Sequence, residues 1–125
     1  KILSETDRQS FVKESLEGWY KGHALKRLTE KSKRYEKILR VTPQSISLKN
    51  YKSRWGSCSN SGEINFNWKI IIAPHHIVDY VVVHELCHML EHNHSPKYWR
   101  HVQSVIPDYK MDRQWLKTNG MGLFV

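Results

Sequence analysis

Two histidines and a glutamate stand at the spacing typical of a metal-dependent hydrolase. His84 and His88 are four residues apart, and Glu85 follows the first of them in the pattern H-E-x-x-H. In a helix, the two imidazoles lie on one face, one turn apart, and can bind one zinc ion. Glu85 is then placed to accept a proton from a water at that ion, as a general base. The spacing therefore predicts hydrolysis by metal-activated water.

A catalytic zinc ion usually takes a third ligand from the protein and leaves its fourth position to water. Three residues downstream are candidates, namely Glu91, His92 and His94. Glu91 follows His88 so closely that it would crowd the ion. With His92, the three ligands would come from successive turns of one straight helix, and such a row surrounds a tetrahedral ion poorly. His94 stands beyond the expected end of the helix, where the chain can turn back beneath the metal. We therefore predict His94 as the third ligand and keep His92 and Glu91 as alternatives.

The segment that carries the motif has the boundary signals of a helix. Pro74 suits a first helical position and Asn93 suits the end, so a helix is predicted from about residue 74 to residue 91. The three valines before His84 favour a strand, but propensity is a weak guide and zinc ligation needs the helix. After the motif, Ser95 as N-cap and a proline at the first position predict another helix to about residue 105. A last short helix is predicted from Met111 to Lys117.

Residues 4–40 show the apolar periodicity of helices. Gly18 and Gly22 interrupt this pattern, and each weakens a helix. We therefore predict two helices, the second of which ends near Leu39. The helix cannot continue much further, because Pro43 disfavours the α conformation in the residue before it.

Three extended segments are predicted next. Ile46 and Leu48 alternate with polar residues, and residues 54–58 form a second short segment. Residues 64–68 alternate strictly, as in a strand with one buried face. The turn signal at residues 60–62 predicts a hairpin between the second and third segments. We expect the strand around residues 64–68 to offer its edge to an extended peptide.

The chain is strongly basic, with 20 Lys and Arg against 12 Asp and Glu and a net charge of +8. Much of the excess lies between Lys21 and Lys52, where a solvated basic face is the simpler interpretation. The alternative is a surface that binds nucleotide, nucleic acid or an acidic substrate. Zinc-finger spacing, an Arg-rich tail and an RNP-type aromatic motif are absent from the sequence. A dedicated nucleic-acid module is therefore not supported.

Length and cysteine content limit the remaining possibilities. The 125 residues suit one domain with a single modest core. Cys58 and Cys87 are too few for a disulfide framework, so we expect free thiols in a reducing compartment and a cytoplasmic protein. No run of 18 apolar residues occurs, so a membrane-spanning helix is not expected.

The ordered motifs resemble those of the YgjP-like metallopeptidase family, which is similar to the minimal zincin core of SprT-like and WLM proteins. The resemblance extends from about residue 8 to residue 120. It is carried by residues 54–59 (RWGSCS), 62–68 (GEINFNW), Pro74, 79–88 (DYVVVHELCH), 93–95 (NHS) and 98–99 (YW).

The resemblance implies a zincin-like α+β fold in which N-terminal helices pack on a small antiparallel sheet, followed by the H-E-x-x-H helix and a C-terminal helix. It implies one zinc ion on His84, His88 and His94, with Glu85 as the catalytic acid and base. Phe66 stands where leucine is common in the family. Family members usually carry a β-rich segment before the first helix. We therefore expect residues 1–125 to be one domain from the C-terminal part of a longer protein.

Three functional hypotheses follow. The favoured one is a zinc metallopeptidase that hydrolyses a peptide or protein, with Glu85 as general base. The second is a metal-dependent hydrolase of nucleotide phosphoanhydrides on the same site, against which the absence of a phosphate-binding G-x-x-x-x-G-K-S/T loop counts. The third is a basic, non-enzymatic nucleic-acid-binding module with a structural zinc. Arg54, His101 and Tyr109 are candidates to stabilise an oxyanion, although we expect each to be structural.

Overall fold

Helices lie before and after a small sheet in the computed structural model, which describes residues 4–120. This order confirms the predicted α+β class. The elements are α1 (Glu5–Leu39), β1 (Ser45–Lys49), β2 (Gly56–Cys58), β3 (Glu63–Asn67), a 3₁₀ turn (Trp68–Ile72), α2 (His75–Cys87), α3 (Pro96–Val105) and α4 (Tyr109–Asn119).

The N-terminal segment forms one helix of 35 residues, so the prediction of two helices is wrong. Gly18 and Gly22 each cost only about 1 kcal/mol relative to alanine, which the capped ends and the packing of this long helix offset. Ser4 caps the start by accepting a hydrogen bond from the Asp7 N–H at 3.1 Å. Arg40, in the left-handed region with φ 58°, ends the helix. The buried side chains of α1 follow helical spacing and are Ala24, Leu28, Ser32 and Tyr35.

The sheet is mixed, and the prediction of an antiparallel sheet is wrong in this respect. β3 lies in the centre, with β1 parallel to it on one side and β2 antiparallel to it on the other. After β1 the chain crosses to the far edge, and the predicted hairpin then returns it to the middle. Because β3 is paired on both sides, residues 64–68 do not provide the expected free edge, and the two edges are β1 and β2.

α2 is the central helix of the core. It contacts α1, β2, the 3₁₀ turn, α3 and α4. Val82 and Val83 are fully buried in it, together with Ile77 and Leu86. Burial of these apolar side chains stabilises the helix enough to override the strand propensity of the valines.

The predicted ends of the C-terminal helices are only partly correct. α2 ends at Cys87, four residues before the predicted end, and a turn follows. The start of α3 is as predicted, with Pro96 as its first residue and the Ser95 Oγ accepting from the Tyr98 N–H at 3.3 Å. α4 extends two residues beyond its predicted bounds at each end.

Within residues 4–120, the helices and the two cysteines bear on the expectations about membrane spans and free thiols. None of the helices in this range is both long and apolar enough to cross a lipid bilayer. Cys58 and Cys87 are both free, as expected.

The hairpin turn and the long helix predict opposite effects of a glycine-to-alanine change. Gly62 has φ 87°, and a Cβ there would lie 3.2 Å from the Met89 Cε. We expect Gly62→Ala to lower the free energy of unfolding by about 1–2 kcal/mol. Gly22→Ala is the control, because nothing lies within 4 Å of its added Cβ. It should raise stability by about 0.5–1 kcal/mol.

Urea denaturation of the two variants and the wild type measures both effects. A neutral Gly62→Ala would contradict the strained turn, and a destabilising Gly22→Ala would contradict a continuous α1.

Candidate metal centre and active site

Three histidines from two neighbouring segments converge at one point. His84 lies in the last turn of α2, His88 follows that helix directly, and His94 lies in the loop before α3. One nitrogen from each ring takes part, and these three atoms all lie within 4.8 Å of one another. The structure therefore brings together the three predicted ligands and leaves Glu91 and His92 outside the cluster. That His84, His88 and His94 bind a metal ion stays a prediction.

The donor set fits a zinc ion. The Nε2 atoms of His84 and His94 are 3.3 Å apart. Two nitrogens bound to one tetrahedral zinc ion at about 2.0–2.1 Å are separated by about the same distance. The other ring nitrogens of His84 and His88 have partners of their own. His84 Nδ1 lies 3.4 Å from the Tyr80 hydroxyl, and His88 Nδ1 lies 3.3 Å from the Glu91 carbonyl oxygen. Such partners orient the rings and leave Nε2 for a metal.

The early end of α2 shapes this cluster. The His88 N–H donates to the Glu85 carbonyl at 3.1 Å, so the helix tightens and the His84 carbonyl has no bond from that N–H. The Tyr98 hydroxyl of α3 donates to the His84 carbonyl instead, at 2.7 Å. The Tyr98 ring also stacks on His88, with centroids 4.5 Å apart. Tyr98 thereby connects α3 to two of the three histidines.

Burial favours the neutral forms of His84 and His88. It lowers the pKa of His84 to about 3, and the neighbouring His88 and His94 act in the same direction. Burial, followed by the proximity of His94, also lowers the pKa of His88. Metal binding requires the neutral imidazole, so the environment of His84 and His88 favours a metal ion over protons on these two rings.

Glu85 is buried beside the histidines, with 5% of its surface exposed. Burial raises the pKa of its carboxyl group to about 8, and the positive charge of Arg54 opposes that rise. Gly56 of β2 makes room for this side chain, because a Cβ there would lie 2.9 Å from the Glu85 Oε2. No role was predicted for Gly56. The available signal was a glycine inside a short strand, which often marks a close approach of another group.

A cavity of about 430 Å³ opens next to Glu85. His84 and His94 line one part of it, and Arg54, Trp99 and Arg113 line another. Arg113 was not predicted, because it lies on α4 in no recognisable motif. Its guanidinium lies 4.7 Å from the centroid of the Trp99 ring.

The three oxyanion candidates differ in position. Arg54 lines the cavity. Tyr109 is buried and stacks on Trp99 with centroids 5.1 Å apart, so it supports the cavity wall. His101 does not line the cavity, and its carbonyl accepts from the Ser104 hydroxyl at 2.6 Å.

Comparison with known proteins gives a family and a fold. The sequence profile of the family described as "YgjP-like, metallopeptidase domain" matches residues 1–119. A comparison with curated proteins gave no match. The fold is similar to the metallopeptidase zymogens of Pyrococcus abyssi abylysin, at 21% identity and TM-score 0.67, and Methanocaldococcus jannaschii jannalysin, at 19% and 0.61. Each match covers 73% of this chain and 92% of the other. The likeness confirms the predicted zincin-like fold.

The burial of Glu85 predicts a stability cost that depends on pH in the metal-free protein. Its folded pKa of about 8 exceeds the ordinary 4.5, so the folded state holds the extra proton between these values. Stability from this group is therefore lost as pH rises through that interval. A glutamine does not titrate. We expect the free energy of unfolding of Glu85→Gln, relative to that of the wild type, to rise as the pH increases from 5 to 8. The rise should be at most about 1.4 kcal/mol per pH unit.

Urea denaturation of both metal-free proteins across this range measures the difference. His84, whose lowered pKa acts in the opposite direction, is present in both proteins and so does not create the difference. A stability difference that stays constant with pH would contradict the buried, protonated carboxyl group.

Proposed function

The chain belongs to the YgjP-like metallopeptidase family, and from this premise we propose that it is a zinc-dependent peptidase that hydrolyses peptide or protein substrates. One observation carries the proposal: three histidine nitrogens lie within 4.8 Å of one another, beside the buried carboxyl group of Glu85. Three neutral imidazoles with an adjacent acid–base group are the parts that hydrolysis by activated water requires.

Each side chain has a separate task in this proposal. His84, His88 and His94 would hold the zinc ion. When bound, zinc supplies a Lewis acid that polarises a carbonyl group and lowers the pKa of water. Glu85 accepts a proton from the attacking water and delivers it to the leaving amine. Burial, opposed by the positive charge of Arg54, raises the pKa of Glu85 to about 8, so the group can accept and release a proton near neutral pH.

The outer edge of β2, which pairs with no other strand within residues 4–120, supports binding of an extended peptide. The Trp55 carbonyl and the Ser59 N–H bond to β3, at N···O distances of 2.8 and 3.0 Å. Ser57 lies two residues from both Trp55 and Ser59, so its backbone N–H and carbonyl also face β3. Because alternate residues of a strand direct their backbone groups to opposite edges, Gly56 and Cys58 direct theirs away from β3. A peptide can add there as a further strand, beside the cavity that contains the catalytic groups.

Metal analysis tests the ligand set. We expect about one zinc ion per chain after purification without chelators, and His94→Ala should weaken zinc affinity by at least about 100-fold, because it removes a ligand directly. His92→Ala is the matched control, since His92 is also exposed but lies outside the cluster. Metal content by mass spectrometry and zinc titration measure both effects. Equal losses in the two variants, or a wild type without a transition metal, would contradict the site.

Turnover tests the role of Glu85. Glu85→Gln should retain the metal and lower kcat by about 10²- to 10⁴-fold, because it removes the proton acceptor. Glu91→Gln is the matched control, as a nearby glutamate outside the cavity, and it should keep kcat within about 2-fold of wild type.

Casein-derived peptides and nucleoside triphosphates should be assayed in parallel. Hydrolysis of the triphosphates alone would replace the peptidase with a nucleotide hydrolase. Salt-dependent binding of DNA that is unchanged in Glu85→Gln, without hydrolysis of either substrate, would favour the nucleic-acid module.

A further inference from the structure

Two arginines line the cavity beside the histidines, and neither forms a salt bridge within residues 4–120. Arg54 precedes β2 and Arg113 lies on α4, and both side chains are exposed. The ion pairs found within residues 4–120 involve other cations, namely Lys31, His76 and Lys97. Glu85 is the one acidic side chain among the residues that line this cavity, and Arg54 acts on its pKa. Two guanidinium groups against one mostly buried carboxyl group leave the cavity favourable to an incoming anion.

Aromatic rings support both guanidinium groups. Arg113 lies 4.7 Å from the Trp99 ring centroid, and Arg54 lies 5.7 Å from that of Tyr51. Contacts of this kind steady the guanidinium plane without occupying its five N–H donors. Trp99 also stacks on His94, with centroids 5.6 Å apart. Through Trp99, Arg113 therefore lies next to the candidate metal centre.

The position of the cavity along β2 indicates which part of a substrate enters it. The cavity is lined by residues 53–56, at the start of β2, and Cys58 at the other end of the strand does not line it. A peptide that pairs antiparallel with β2 runs from the Cys58 end towards Gly56. Residues that follow the scissile bond then enter the cavity that Arg113 lines, whereas Arg54 lines both this cavity and a second pocket that contains Cys58 and His88.

We propose that Arg54 and Arg113 form a carboxylate-binding subsite, and that the enzyme prefers peptides with a carboxylate on the leaving-group side of the scissile bond. The carboxylate is that of an acidic side chain or of the peptide C-terminus. Guanidinium groups bind carboxylates through paired, charge-assisted hydrogen bonds, which gives this preference its strength. The inference rests on the proposed peptidase function.

Matched quenched-fluorescence peptides test the subsite. One set differs only in Glu, Gln or Lys directly after the scissile bond, and a second set differs only in a free or amidated C-terminus. We expect kcat/KM to favour the carboxylate by roughly 10- to 100-fold in at least one set. A Glu preference identifies a side-chain carboxylate, and a free-acid preference identifies the terminal one.

Variants assign the preference to the two arginines. Arg113→Gln and Arg54→Gln should each reduce the carboxylate preference by at least about 5-fold. Arg100→Gln is the control, because it removes the same charge from an exposed arginine that does not line the cavity. It should keep the preference within about 2-fold.

Each contrary outcome has a distinct meaning. Cleavage without a carboxylate preference would overturn the subsite alone, as would a preference that survives in both arginine variants. An equal loss in Arg100→Gln would assign the preference to the overall positive charge and also overturn the subsite. Failure to cleave any peptide would overturn the proposed peptidase function, and the subsite with it.

Discussion

The hydrogen bond from the Tyr98 hydroxyl to the His84 carbonyl joins the two segments on which the candidate metal centre depends. The carbonyl is available because α2 tightens at His88, whose N–H bonds to Glu85 instead. The early end lets the chain turn within a few residues, so His94 can return to the first two histidines. Tyr98 is fully buried, so its hydroxyl has no water to replace this partner. The geometry of the three rings therefore follows from a contact between α2 and α3.

The burial of Glu85 and His84 disfavours the charged forms of both side chains. α2 is surrounded by other elements of the fold, which leaves Glu85 with little access to water. A carboxyl group with a raised pKa and a histidine with a lowered pKa stand side by side. Such opposed shifts are typical of functional sites, where chemistry requires protonation states that water would not favour. The positive charge of Arg54 opposes part of the effect of burial on Glu85, because it stabilises the carboxylate.

Local signals predicted which residues form much of the candidate site, and long-range packing accounts for what they missed. The H-E-x-x-H spacing, the cap at Ser95 and the turn at residues 60–62 each depend on a few neighbouring residues, and the structure contains all three. The sheet order and the continuity of α1 depend on contacts between distant elements, which periodicity does not encode. Gly56 and Arg113 were missed for the same reason. Their positions matter only because β2 and α4 approach α2 from separate parts of the chain.

X-ray absorption spectroscopy of the zinc-loaded protein tests the central claim most directly, because it counts and identifies the atoms bound to the ion. We predict three imidazole nitrogens and one oxygen atom from water, as in an open catalytic site. The His94→Ala protein should show fewer imidazole nitrogens. A sulfur ligand, or a sphere closed by four protein side chains, would contradict the account and indicate a structural zinc instead.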